Sequence, residues 1–199
     1  MENWKPAAPT PSDLGDRELP QLSDALAGKQ IALMVSGSIA AFKTPMVARE
    51  LRRHGAAVTT YASRSALRYV SAEALAWSSA SPVITELSAE AEHLSDTRPF
   101  DAYLLAPATY NSINKLAAGI ADTVITSALA SAIGRVNQGN AQLLIAPAMH
   151  GSLHNPIFEA SIERLQQLGA KVIPPRDAYG KHNLPDEQTL VDAVIEVLG

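Results

Sequence analysis

The chain has 199 residues, of which 47% are hydrophobic and 18% charged, so it holds enough apolar material for one folded domain and is no disordered polymer. A net charge of -4 without a basic run argues against a nucleic-acid partner or an anionic membrane surface, and no apolar run reaches the roughly 20 residues that span a bilayer. Cysteine is absent, which excludes disulfides, thiolate metal sites and a cysteine nucleophile.

Residues 1–28 read as an N-terminal arm, partly disordered and extended to about Leu19, because four prolines (Pro6, Pro9, Pro11, Pro20) fall in its first 20 positions. Trp4 is the one residue there suited to anchoring on a neighbouring surface; a mobile tail is the plainer reading. The first 30 residues hold neither an apolar stretch nor a basic leader, so a cytoplasmic location is expected.

Residues 29–199 alternate short apolar runs with helical stretches. Gln30–Val35 is a nearly continuous apolar run, as in a parallel strand covered on both faces. A helix is predicted from Ser38 to about Arg53, with Pro45 in its first turn and Gly55 as its stop. Strand 57–61 follows, then two short helical pieces over 63–70 and 72–77. Strand 101–106 ends at Pro107, and helices are predicted over 111–118 and 122–133, split by Gly119. Strand 142–146 ends at Pro147. A helix over 156–168 stops at Gly169, strand 171–173 leads into a loop, and a last helix runs over 186–198. This alternation predicts an α/β fold: a Rossmann/flavodoxin-like, doubly wound, mostly parallel sheet in three layers, forming a single domain.

Such folds bind ligands outside the carboxyl ends of their strands. Three predicted ends carry small residues and hydroxyls: Ser36-Gly-Ser-Ile-Ala40, Ala106-Pro-Ala-Thr-Tyr-Asn111 and Ala146-Pro-Ala-Met-His150. Gly37 before a helix start is a candidate phosphate site, and an ordinary strand-to-helix turn accounts for it equally well. Thr109 and Asn111 are candidate helix caps. Capping does not explain why Pro-Ala recurs after a second strand, at Pro147-Ala148; two such edges predict a shared wall around one flat ligand.

These segments carry a resemblance. Gly37-Ser-Ile-Ala-Ala-Phe-Lys43, the run from Ala106-Pro-Ala-Thr-Tyr-Asn111 to Gly119-Ile-Ala-Asp122, and Pro147-Ala-Met-His150 are similar, in the same order, to motifs of the homo-oligomeric flavin-containing cysteine decarboxylases. That family includes phosphopantothenoylcysteine and lantibiotic peptidyl-cysteine decarboxylases. The resemblance implies FMN as cofactor, and a homotrimer or homododecamer with FMN near a subunit interface. It implies cofactor contacts from Gly37, Ser38, Ile39, Ser63, Pro107, Ala108, Thr109, Ala148 and Met149. It implies catalytic roles for His93, whose His-Leu pair lies eight residues before Asp101, and for Asn111 and His150, with substrate contacts from Met149, His150, Tyr179 and Lys181. A histidine suits proton handling near neutral pH.

The chain departs from the family pattern at Tyr110 for alanine and at His150, Leu153 and His154 in the substrate clamp. The reductive members use a flap cysteine, which this chain lacks. The reaction implied first is therefore FMN-dependent oxidative decarboxylation of a peptide's C-terminal cysteine, giving an ene-thiol and leading to aminovinyl-cysteine. Decarboxylation of phosphopantothenoylcysteine in coenzyme A biosynthesis is the alternative, and a catalytically silent FMN-binding regulator is a third. His150 and His154 sit four apart without a third ligand, so no metal is expected, and His54 and His182 read as surface residues.

Overall fold

A computed structural model describes residues 5–94 and 99–199; Trp4 lies outside the described residues. In chain order the elements are β1 (Gln30–Val35), a 3₁₀ turn (Ile39–Lys43), α1 (Thr44–Arg53), β2 (Ala57–Ala62), a second 3₁₀ turn (Ala66–Arg68), α2 (Ala72–Ser79) and β3 (Ala102–Ala108). There follow α3 (Tyr110–Ala117), α4 (Val124–Asn137), β4 (Gln142–Pro147), β5 (Met149–His150), a third 3₁₀ turn (Gly151–Leu153) and α5 (Pro156–Gln167). The chain continues through β6 (Ala170–Val172), β7 (Arg176–Ala178), β8 (Lys181–Asn183) and α6 (Glu187–Leu198).

Five strands form one parallel sheet in the order β2-β1-β3-β4-β6. Strand alternation sends Ile31, Leu33, Leu104 and Leu144 to one face, where they meet Val47 and Leu51 of α1 and Leu190 and Val194 of α6. Ala32, Met34, Leu105 and Ile145 face the other way, against Ile113 of α3, Leu129 of α4 and Leu165 of α5. Both faces are thus covered, which is why β1 and β3 read as unbroken apolar runs.

The structure corrects four expectations. The single helix predicted through Arg53 divides into a 3₁₀ turn and α1. Pro45 has no N–H for the Ala41 carbonyl, and the Thr44 hydroxyl donates to that carbonyl instead, at 2.7 Å. Pro107 and Pro147 do not end their strands: β3 runs to Ala108, and Ala108 pairs with Pro147 across a register shift. The ladder absorbs a residue without an N–H by slipping, so the chain stays extended past it.

The arm is shorter than 28 residues. Leu26 is fully buried, and the Leu22 and Leu26 amides donate to the Arg53 and His54 carbonyls at 2.7 and 2.8 Å. Those carbonyls belong to the last turn of α1, where no intrahelical donor exists, so this segment caps α1 and belongs to the domain. The loop predicted before α6 instead holds the β7–β8 hairpin, which pairs with β5 as a three-stranded antiparallel sheet. Tyr179 and Gly180 turn the hairpin with φ of 56° and 67°, the signature of a two-residue loop with two left-handed positions. Among the described residues no helix is long and apolar enough to cross a membrane.

Candidate functional site

The chain leaves β1 for β2 on one side, then returns to β3 on the other. The loops after β1 and β3 therefore diverge and open a crevice at the carboxyl edge of the sheet. A cavity of about 460 Å³ occupies it, inside the range of small-molecule sites. Four of the five strand ends contribute: Gly37 and Ser38 after β1, Ser63 and Ser65 after β2, Thr109 to Ser112 after β3, Ala148 and Met149 after β4. Thr126 and Lys115 close one side and Leu153 another.

Ser36 ties the β1 and β3 ends together. Its side chain is buried; Oγ donates to the Pro107 carbonyl at 2.6 Å and accepts from the Thr109 amide at 3.1 Å. Thr109 in turn caps α3, accepting from the Ser112 amide at 3.3 Å. Gly37 is required by close approach: a Cβ there would run into Ser65 Cβ and crowd the Ser65 backbone. The cradle is bare backbone and hydroxyls because no larger residue fits between the β1 and β2 ends.

The helix start expected after Gly37 is a five-residue 3₁₀ turn, and Ser38 Oγ already accepts its Ala40 amide at 3.2 Å. Polar contacts to a ligand must therefore come mainly from side-chain hydroxyls. The opposite wall is apolar, with Ala148 and Met149 buried. Lys115 reaches the rim, where its Nζ hydrogen-bonds Asp122 at 2.5 Å; that bond holds the Asp122 carboxyl below the usual carboxylate range. Tyr110 also lines the mouth, and its hydroxyl meets the Asn155 side-chain amide at 3.3 Å.

Of the residues proposed from sequence, Gly37, Ser38, Ser63, Thr109, Asn111, Ala148 and Met149 line the cavity. Pro107 and Ala108 do not; they are buried within β3, behind the wall. Ile39 is 67% exposed and turned outward. His93 does not line the cavity of its own chain, and its buried Nδ1 has no hydrogen-bond partner among the described residues.

His150 is exposed outside the cavity, with Nδ1 accepting from the Ser152 amide at 3.1 Å as the cap of the third 3₁₀ turn. Tyr179 is 89% exposed at the hairpin tip, with Lys181 exposed beside it. His54 is no plain surface residue: it packs at the arm, with Nδ1 2.7 Å from Ser23 Oγ. Nor is His182, whose ring stacks on Phe158 with centroids 6.2 Å apart.

Sequence reasoning did not single out Ser36, Ser65, Lys115, Thr123 or Thr126 as site residues. Ser36 and Lys115 lay inside the motifs already noted, one at a strand end and one on the helix after Thr109. Ser65, Thr123 and Thr126 had no signal, since short polar residues near loops are everywhere. Among the described residues no cluster of three or more His, Cys, Asp or Glu side chains is arranged to hold a metal.

The flavoprotein family model matches residues 20–199, starting where the arm joins the core. The chain is 36% identical over 178 residues to the coenzyme A biosynthesis bifunctional protein CoaBC of Thermococcus kodakarensis, covering 87% of this chain but only 43% of that protein. The chain thus spans less than half the length of that bifunctional relative. A Streptococcus mutans protein named as a phosphopantothenoylcysteine decarboxylase is 31% identical over 182 residues, covering 85% of this chain and 99% of its own. In fold, the FMN-dependent cysteine decarboxylase SpaF superposes with a TM-score of 0.74 at 23% identity, covering 87% of this chain and 99% of SpaF. With the match extending over nearly the whole chain, this protein belongs to the flavoprotein family.

Proposed function

We propose that the chain is an FMN-dependent cysteine decarboxylase acting on phosphopantothenoylcysteine. The observation that carries this reading is the cavity at the β1/β3 crevice, lined after β1, β3 and β4 by residues of the three motifs that resemble the family's. The relatives' names move the substrate away from the peptidyl cysteine expected first, since the two relatives described above are named as a coenzyme A biosynthesis bifunctional protein and a probable phosphopantothenoylcysteine decarboxylase.

The residues fit FMN. Ser38, Ser63 and Thr109 offer hydroxyls to a phosphate and a polyol, Gly37 leaves the backbone open, and Ala148 and Met149 present an apolar wall to a flat ring. Bound there, FMN would supply a two-electron acceptor for the substrate's thiol-bearing carbon. The chain positions both partners and handles protons. Asn111, exposed at the first turn of α3, offers an amide to the substrate carboxylate, and Met149 closes the apolar side. Lys115 brings a cation to the mouth, held there by Asp122, as a partner for an anionic substrate group.

His93, outside its own chain's cavity, serves as catalytic base at the cavity of a second copy, so the working unit is a homo-oligomer with FMN near the subunit interface. Its unpartnered buried Nδ1 supports this role. His150, Tyr179 and Lys181 lie outside the cavity and serve the substrate's outer portion.

A second reading is kept because the chain has no cysteine: with no flap thiol to reprotonate an ene-thiol, a peptidyl-cysteine substrate taken only as far as the ene-thiol remains consistent. One experiment separates them. The purified chain should show a flavin spectrum, and mass spectrometry should show CO₂ lost from phosphopantothenoylcysteine. Turnover of a Cys-terminated peptide with phosphopantothenoylcysteine untouched reverses the order of the two readings, and a colourless protein that takes up no FMN overturns both. His93→Asn should abolish turnover while leaving flavin bound; unchanged behaviour in every assay is what a silent regulator would give.

A further inference from the structure

We propose that His154 and His182 form a proton-counting latch, which holds the β7–β8 hairpin against the 149–154 segment only while the two imidazoles share one proton beyond their neutral complement. Four side chains from four places in the fold lie in a row. Glu159 of α5 is 2.9 Å from His154 Nε2, and His154 Nδ1 is 2.9 Å from His182 Nε2. His182 Nδ1 is 2.5 Å from Asp177 of β7. The row crosses from the segment leaving the cavity wall to the hairpin, where His182 is the register partner of the cavity residue Met149.

Donor counting fixes the protonation. Ionised carboxylates only accept, so His154 must present N–H at Nε2 to Glu159 and His182 must present N–H at Nδ1 to Asp177. With both rings neutral, those two protons are the only ones, and two lone pairs then face each other at 2.9 Å without a bond. With both rings doubly protonated, two N–H groups and two positive charges face each other. Only three protons on the two rings place one hydrogen between the facing nitrogens. A zinc ion is not the better occupant: tetrahedral bonds of about 2.0–2.1 Å hold two nitrogens about 3.4 Å apart, wider than the observed contact.

The other charged or titratable groups facing the row are Lys181, which lines the same surface hollow, and His150, which pairs with Lys181 across β5 and β8. Phe158 packs against both rings. Among the described residues, the hairpin is otherwise tied to the clamp by the short β5–β8 ladder and the Gly151 amide on the Gly180 carbonyl at 2.9 Å. Hairpin order is therefore highest at intermediate pH and falls on both sides.

The carboxylates set the alkaline limit, which makes the idea separable from a merely structural role. In Glu159→Gln the new amide donates to His154 Nε2, so His154 carries its single proton on Nδ1 and bonds His182 with both rings neutral. Asp177→Asn does the same from the other end. The test is a pH titration of the full chain, labelled with ¹⁵N-histidine and in its backbone amides, followed by NMR without substrate. This readout is independent of the substrate reading, so failure of one does not imply failure of the other.

The expected result is that the His154 and His182 ring signals move together in two coupled steps, with the amides of 177–182 ordered between them. Each variant should abolish the alkaline limit, keeping that order with both rings neutral, whereas Glu163→Gln, one helical turn further along α5, should leave the limit where it is. Independent single-step titration of the two rings, or an unchanged alkaline limit in both variants, overturns the latch.

Discussion

The two sides of the cavity are built by opposite means. The β1/β3 side is held from within by Ser36, fully enclosed between two central strands of the main sheet, so its geometry is inherited from the hydrophobic core. The Met149 and Leu153 side leads into a small accessory sheet (β5, β7, β8) of two- and three-residue strands on the surface, held by a glycine contact and by side chains in contact with water. The first is rigid because unmaking it exposes core; the second is adjustable because little core depends on it. A cofactor is suited to the first kind of wall and an exchanging substrate to the second.

Four substitutions probe this contrast, in falling order of effect on stability. Ser36→Ala strips partners from the buried Pro107 carbonyl and Thr109 amide, and should cost about 1–3 kcal/mol in chemical denaturation with loss of bound flavin. If flavin stays bound at full stoichiometry, the buried wall is not the cofactor wall.

Asp186→Ala lies outside both regions and calibrates the cost of one lost cap, about 1 kcal/mol, since Asp186 Oδ1 accepts the Thr189 amide at 2.8 Å. That bond, foremost, holds the Asp186 carboxyl below its ordinary range. A lowered folded value contributes stability above the unfolded value and loses it as pH falls through the folded one. The gap between variant and parent should therefore close in acid and be full at neutral pH.

Gly151→Ala places a Cβ against the Gly180 carbonyl and should unseat the hairpin. The expected outcome is a raised KM with flavin content and melting temperature nearly unchanged, and a melting loss as large as that of Ser36→Ala would erase the distinction between the two walls. Asp122→Asn, at an exposed ion pair, should leave melting unchanged and alter only the salt dependence of KM.

The same contrast explains what could be foreseen from the sequence. Gln30–Val35 and Ala102–Ala108 announce themselves because strands covered on both faces must be apolar throughout. Gly37 and Thr109 are visible because strand ends that approach a ligand need small residues and hydroxyls. Pro107 and Pro147 were misleading: a proline ordinarily stops a ladder, and only the register shift opposite shows how this one continues. The β7–β8 hairpin was hidden because it buries almost nothing, so no alternation of apolar residues marks it. His182 looked incidental for a similar reason, its partner being His154, 28 positions away and beyond any local pattern.

The burial of Leu26 has a practical corollary for anyone trimming this chain. A version beginning at Lys29, the boundary that the apolar pattern alone recommends, would forfeit about 2 kcal/mol of leucine burial and leave the terminal carbonyls of α1 without the Leu22 and Leu26 amides. Since α1 is joined to the Gly37 cradle by one 3₁₀ turn, such shortening would loosen the helix behind that end of the cavity. A safe start lies ahead of Pro20, and an affinity tag is best attached upstream of it.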